Sequence, residues 1–146
     1  MLVACSRQPA TTEYTSAASA TAQIKASNET AAELIGIAER YYDRHLELNP
    51  LAATAEGDHR FDAKFGDYVS LAWMADSLAV EQDALEKLQT IKPERLRGED
   101  LVTFDAFRSG REINVEGYRF PSELLPIHQL SNLASYFAVA GSGQGI

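Results

Sequence analysis

The residues of this sequence that could carry out chemistry are concentrated in one polar turn, at positions 58–67. It contains Asp58, His59, Arg60 and Asp62. An imidazole near carboxylates could bind a metal ion, and an arginine could bind an anionic substrate. A zinc site requires three or four ligands at suitable spacing, and this turn supplies too few. We therefore interpret the turn as structural, with Asp58 or Asp62 accepting backbone N–H bonds and Arg60 paired with a carboxylate. Substrate binding in a cleft is the alternative.

The other two histidines, His45 and His128, are far from this turn and from each other. No histidine has a second ligand four residues further on, so the HExxH pattern of zinc peptidases is absent from this sequence. His45 falls on the apolar side of a predicted helix and is interpreted as a packed histidine. His128 and Gln129 fall in an extended, proline-containing segment that could present polar groups to a peptide. The candidate substrate-binding residues are His128, Gln129 and Arg60, although nothing in their spacing selects them. No catalytic or metal-binding residue is predicted.

The overall negative charge of the chain opposes binding to nucleic acid. The chain has 146 residues and a net charge of -8, with a pI of about 4.8. Nonspecific nucleic-acid binding depends on Lys and Arg contacts to phosphates, so no nucleic-acid partner is predicted. The glycine-rich segment Gly141 to Gly145 lacks the Lys-Ser/Thr pair of a phosphate-binding loop. No G-x-S-x-G nucleophile motif occurs either.

The elements that must position these residues are predicted to be helices. A first long helix is expected to begin near Ser27 or Asn28 and to end at Asn49-Pro50, where Asn49 could cap a short helix from Pro50 to Glu56. Its buried face follows three-four spacing. The residues on that face are Leu34, Ile37, Ala38, Tyr41, Tyr42, His45 and Leu48.

Two further long helices are expected after the polar turn. One begins near Ser70 and presents an apolar stripe, which favours an antiparallel partner for the first helix over a coiled coil. That stripe is Leu71, Met74, Leu78, Leu85 and Leu88. The next begins between Gly98 and Asp100 and buries Leu101, Phe104 and Phe107, and its pattern favours helix over strand as far as Gly117. A last short helix is expected from Ser131 to Val139. The predicted class is all-α, an antiparallel helical bundle.

The N-terminal residues predict an anchor and a tether. Leu2 to Cys5 are similar to a bacterial lipobox, in which the cysteine is lipidated, and residues 6–25 are rich in Ala, Ser and Thr. We expect a disordered tether over residues 1–26 and a helical domain over residues 27–146, truncated at its C-terminus. A secretory signal requires an apolar segment of about 7–15 residues before the cleavage site, so this interpretation needs a natural start upstream of Met1. The alternative is a free Cys5 on a surface tail.

Three segments resemble the bacterial domain-of-unknown-function family number 885, predicted metallopeptidases that are often secreted or lipid-anchored. They are Asn49-Pro50 with Gly57 to Asp62, similar to "NP…GDxRYD"; Asp105 to Arg108 with Glu116-Gly117; and Leu124 to Gln129, similar to "LLPxNQ". Their order and spacing cover residues 30–146, which resemble the N-terminal part of the family. His128 stands where the family pattern has Asn, and an imidazole can replace the amide as a donor while adding a titratable group.

The resemblance implies an all-α enzyme of the gluzincin type, exported to the periplasmic side of a bacterial membrane as a lipoprotein. Zinc, bound by an HExxH-like motif in the later part of such enzymes, and a peptide or small-molecule substrate are expected for the full-length protein, with no cofactor in this chain. This chain would form part of the substrate cleft and be inactive alone. The alternative is a complete non-enzymatic binding or scaffold module, tethered to a membrane through Cys5, that holds a partner around Leu124 to Leu130.

Overall fold

The computed structural model describes residues 17–121, 127–128 and 131–142, and most of these residues are helical. The α-helices are α1 (Ala17–Leu48), α2 (Pro50–Ala55), α3 (Leu71–Leu88), α4 (Glu99–Gly117) and α5 (Leu133–Gly141). Single 3-10 turns span His59–Phe61 and Pro93–Arg95, and the strands β1 (Ile127–His128) and β2 (Ser131–Asn132) pair antiparallel. The predicted all-α class is confirmed. None of the described helices is both long enough and apolar enough to cross a membrane.

Helix α1 begins at Ala17, ten residues before its expected start at Ser27, so residues 17–26 are helical where the sequence predicted disorder. The tether was predicted because this stretch lacks apolar periodicity. Alanine, however, has the highest intrinsic helix propensity and favours helix without a buried face. Ile24, at 63% exposure, illustrates this, since it lies on the helix without being buried. Residues 1–16, including Cys5, lie outside the described part of the chain.

The corner between α1 and α2 is held by side chains that satisfy the last carbonyls of α1. The amide Nδ2 of Asn49 donates to the His45 carbonyl at 2.8 Å, and Trp73 Nε1 donates to the Leu48 carbonyl at 2.9 Å. Asn49 occupies the N-cap position of α2, as predicted, but its side chain makes no capping bond to that helix. Its amide stabilises the end of the preceding helix, where carbonyls lack partners within the helix. Pro50 begins α2, as predicted.

The starts of the next two helices agree with the sequence. Ser70 Oγ accepts a hydrogen bond from Trp73 N at 3.0 Å, which caps α3. Helix α4 begins at Glu99 directly after Gly98, whose φ of 54° lies in the left-handed region that favours glycine. It continues to Gly117, so the choice of helix over strand for residues 113–116 is confirmed.

Helices α1 and α3 run in opposite directions. Moving forward along α1, Glu33, Tyr41 and Leu48 make hydrogen bonds to Thr90, Glu81 and Trp73 respectively. Helix α3 also packs against α4, so it contacts both of the other long helices. One cluster of buried side chains joins these elements. Its members are Leu34, Ile37, Leu88, Ile91, Leu96 and Phe104.

The buried face of α3 differs from the predicted stripe. Leu71, the first residue of that stripe, is 73% exposed. The buried residues of α3 are Ser77, Val80, Glu81, Ala84 and Leu88. Small residues let α3 approach its neighbours closely, and Glu81 is buried because its carboxylate has partners on both of them. The prediction is confirmed at Leu88, which is buried in the core cluster, and Leu85 packs against that cluster. At the N-terminal end of α3 the prediction is wrong, because the face that packs between two helices there includes a small and a charged residue instead of leucines.

Candidate functional site

The polar turn is organised by Arg60, whose guanidinium lies between two carboxylates. Arg60 Nε donates to both oxygens of Asp58, at 3.0 and 2.9 Å, and Nη2 contacts Asp58 Oδ2 at 2.7 Å and Asp43 Oδ1 at 2.8 Å. Asp58 Oδ1 also accepts the Arg60 backbone N–H at 3.1 Å. These hydrogen bonds lower the pKa of Asp58 and raise that of Arg60. The geometry agrees with the structural interpretation, because two carboxylates already engage this guanidinium.

His59 and Asp62 complete the turn and join it to α2. His59 Nδ1 lies 2.8 Å from Asp62 Oδ2, and Thr54 Oγ1 donates to Asp62 Oδ1 at 2.7 Å. The bond from Thr54, reinforced by the one from His59, lowers the pKa of Asp62. Within residues 17–121, 127–128 and 131–142, no group of three or more His, Cys, Asp or Glu side chains could hold a metal ion. The turn therefore offers an ordered surface without a metal-ligand set.

Of the other two candidate substrate-binding residues, His128 and Gln129, the structure describes only the backbone of His128. The backbone of His128 is in β1, where it pairs with Ser131 of β2 in an antiparallel register. This agrees with the predicted extended conformation at His128. Gln129 lies outside the described residues.

The structure places a buried polar cluster where α1, α3 and α4 meet, which sequence reasoning missed. We call it the Glu81 cluster; it consists of Tyr41, Glu81, Arg111 and Asn114. Glu81 Oε1 accepts hydrogen bonds from Tyr41 OH and Asn114 Nδ2, both at 3.0 Å. Arg111 Nε lies 3.0 Å from Glu81 Oε2, an ion pair whose atoms are close without being aligned as a hydrogen bond. The guanidinium carbon of Arg111 lies 4.0 Å from the centre of the Tyr41 ring.

Burial determines the electrostatics of this cluster and its surroundings. Burial, followed by the nearby Glu81 carboxylate, raises the pKa of the Tyr41 hydroxyl. His45 stacks on Tyr41 with 5.7 Å between the ring centres, and burial lowers the pKa of its imidazole. Because Glu81 is only 5% exposed, its carboxylate is not accessible to a substrate. The cluster can therefore join three helices, and we assign it no reaction.

A sequence signal for the cluster did exist. Arg111 continues the spacing of Phe104 and Phe107 along α4, which places a charged residue on the predicted apolar face. A charge in that position indicates a buried partner on another helix. The sequence does not show which carboxylate that partner is.

A groove runs between α1 and α3, with a volume of about 560 Å³, and we call it the α1–α3 groove. Its floor includes the buried side chains of Ile37, Val80 and Ala84. The exposed arginines Arg40 and Arg44 line its α1 side. Since the groove combines an apolar floor with charged walls, it can hold an amphipathic molecule. Neither arginine was a candidate from the sequence.

Comparison of this chain with protein-family models, with curated proteins and with solved structures finds no significant match. The resemblance to the bacterial family therefore stays a prediction that depends on the quoted motifs. The geometry of the described residues and the quoted motifs are the basis for the function proposed next.

Proposed function

We propose that this chain is a helical, non-catalytic part of a larger exported zinc peptidase, in which it forms one wall of the substrate cleft. The observation that carries the first part of this proposal is a second apolar face on α4. The motifs quoted above carry the peptidase assignment. The described residues do not fit a zinc site, so the zinc ligands belong to another part of the proposed enzyme, and no catalytic step is assigned here.

Helix α4 is apolar on two opposite sides. Phe104 is buried against the core at 3% exposure, whereas Val102 and Ile113 on the other side are each 67% exposed. Ala106 and Gly117 continue the exposed stripe at helical spacing. An apolar stripe on the exposed side of a helix is typical of a surface that another element covers. This pattern supports a larger fold in which another element covers the exposed stripe.

The arrangement of the helices also supports a larger fold. The opposed directions of α1 and α3 suit the first part of an antiparallel bundle, and the second face of α4 would be its junction with the remainder. In this proposal a lipid on Cys5 anchors the protein at the periplasmic side of the membrane. The substrate is a peptide or another small molecule.

The proposal is tested by measuring the binding of a hydrophobic fluorescent dye to the purified 146-residue chain. The uncovered stripe should bind dye, and the double substitution Val102→Gln, Ile113→Gln should remove most of that signal without lowering helicity. The matched control is Ile24→Gln with Leu71→Gln, two apolar residues of equal or greater combined exposure on other helices. It should leave the signal largely unchanged. A monomeric chain that unfolds cooperatively and binds no dye would contradict the larger fold.

Two assays test the peptidase part separately. Sequencing the coding region on both sides of the chain should reveal an HExxH-like motif downstream and an apolar signal upstream. The isolated chain should bind no stoichiometric zinc and hydrolyse no peptide. Zinc-dependent peptidase activity from this chain alone would overturn its non-catalytic role.

A second candidate is a tethered, non-enzymatic binding module, and the α1–α3 groove is the observation that favours it. The groove is formed entirely by α1 and α3, so it does not depend on any further part of a larger protein. Absence of dye binding, together with a coding region that carries no peptidase motif, would favour this candidate over the first.

A further inference from the structure

We propose that the α1–α3 groove binds a small molecule with an apolar chain and a single carboxylate. The inference is independent of the proposed peptidase, because it depends only on side chains of α1 and α3. The floor of the groove is apolar, since Ile37, Val80 and Ala84 are between 3% and 6% exposed. A volume of about 560 Å³ is within the usual range for small-molecule sites, roughly 300–1,000 Å³.

The charges of the groove indicate an anionic ligand group. Arg40 and Arg44 are one helical turn apart on α1, so both can reach the same region of the groove. The acidic residues of the groove are Asp43 and Asp83. Asp43 contacts Arg60 at 2.8 Å, and Asp83 lies 3.8 Å from Lys87.

The two arginines are therefore left without a carboxylate. Within the described ranges, neither Arg40 nor Arg44 has an ion-pair partner within 4 Å, although the protein carries a net charge of -8. In such an acidic protein, two adjacent unpaired arginines beside an apolar floor form a local site of complementary charge for an anion. Arginine is well suited to a carboxylate because its planar guanidinium can donate two parallel hydrogen bonds.

The position of Arg40 fits this role. A Cβ atom added at Gly36 would meet Arg40 Nη1 at 3.4 Å, so the guanidinium lies against the helix backbone one turn earlier. Because Gly36 has no side chain, part of the exposed Arg40 side chain can lie along α1. Arg40 also lines the groove, together with Ile37 of its floor.

The experiment measures binding of octanoate to the full chain by calorimetry and by the methyl resonances of Ile37 and Val80. Octanoate should bind saturably, whereas 1-octanol, which lacks the charge, and acetate, which lacks the chain, should each bind at least about tenfold more weakly. Equal binding of 1-octanol would overturn the carboxylate assignment. Absence of saturable octanoate binding would overturn the site.

Matched variants locate the binding. The double substitution Arg40→Gln, Arg44→Gln should weaken octanoate binding at least about tenfold, because each arginine contributes a charge-assisted hydrogen bond. Arg108→Gln with Arg119→Gln changes the net charge equally, lies outside the groove and should leave affinity within about twofold. Ala79→Phe, at an exposed position in the groove wall, should obstruct binding while helicity is retained. Equal losses in the control pair would show that general charge attraction, and not this groove, holds the ligand.

Discussion

Glu81 and Arg111 form the only ion pair of the described residues in which both side chains are largely buried, at 6% and 16% exposure. Removing one member of a buried pair leaves the other charge uncompensated in a poorly solvated site. Arg111→Met should therefore lower the free energy of unfolding by about 3–5 kcal/mol, as measured by urea denaturation. The surface control Arg108→Met, which removes the exposed pair with Glu112, should cost at most about 1 kcal/mol.

The double variant Glu81→Leu, Arg111→Met provides the second comparison. Because it removes both charges, it should be less destabilised than Arg111→Met alone, even though Tyr41 and Asn114 lose an acceptor. If Arg111→Met were as mild as Arg108→Met, the ion pair would have to be solvated, in contradiction to its burial.

His45 should make stability depend on pH. Burial lowers the pKa of His45 in the folded protein below its ordinary value of 6.5, so the unfolded chain binds the proton first as the pH falls. The free energy of unfolding should therefore be constant with respect to this group above pH 6.5 and decrease as the pH falls below it. Two nearby charges also act on the pKa of His45, but less than burial does. The Glu81 carboxylate raises this pKa and the Arg111 guanidinium lowers it.

The measurement is urea denaturation at a series of pH values, with His45→Gln and the exposed His59→Gln as a matched pair. His45→Gln should flatten the decrease just below pH 6.5, whereas His59→Gln should retain it. The lowered pKa values of Asp58, Asp62 and Asp67 act in a separate range, below their ordinary value of 3.8. A decrease that is unchanged in His45→Gln would contradict the assignment.

At the scale of elements, the predictable features were those with a local cause. Pro50, Ser70 and Gly98 fix helix boundaries through backbone geometry or a cap within three residues, and the structure places those boundaries where the sequence does. The start of α1 was missed because the alanines of residues 17–26 favour helix by propensity alone. The role of Asn49 was missed because one amide can satisfy either of two adjacent helices.

The Glu81 cluster and the α1–α3 groove were less predictable than the helix boundaries, because both depend on contacts between residues that are distant in the sequence. Asn114 is 33 positions from Glu81, and Tyr41 is 40 positions from it, so the sequence alone does not pair them. The same holds for the α1–α3 groove. Arg40 and Arg44 are recognisable as neighbours on one helix, but their lack of a carboxylate depends partly on Asp43 contacting Arg60 across the polar turn. The pairing of Arg60 with a carboxylate in the polar turn was predictable because Asp58 is two residues away. The groove was not predictable because it forms only where α1 packs against α3.

At the scale of the whole molecule, the excess of acidic residues opposes compactness. The chain contains 21 acidic and 13 basic side chains, and most of its described ion pairs lie on the surface. Exposed pairs contribute little to stability, whereas repulsion among the unpaired carboxylates acts over the whole surface. The overall electrostatic contribution to folding should therefore be unfavourable near neutral pH.

Salt tests this balance directly. Raising sodium chloride from low to moderate concentration at pH 7 should raise the urea midpoint, because screening weakens the long-range repulsion more than it weakens the buried Glu81–Arg111 pair. The gain should be on the order of 1 kcal/mol or less, in keeping with the size of surface electrostatic effects. At a pH near the pI of about 4.8, where the net charge is small, the same change in salt should leave the midpoint nearly unchanged. A fall in the midpoint with salt at pH 7 would mean that the surface pairs, above all those of Arg60, outweigh the repulsion of the whole molecule.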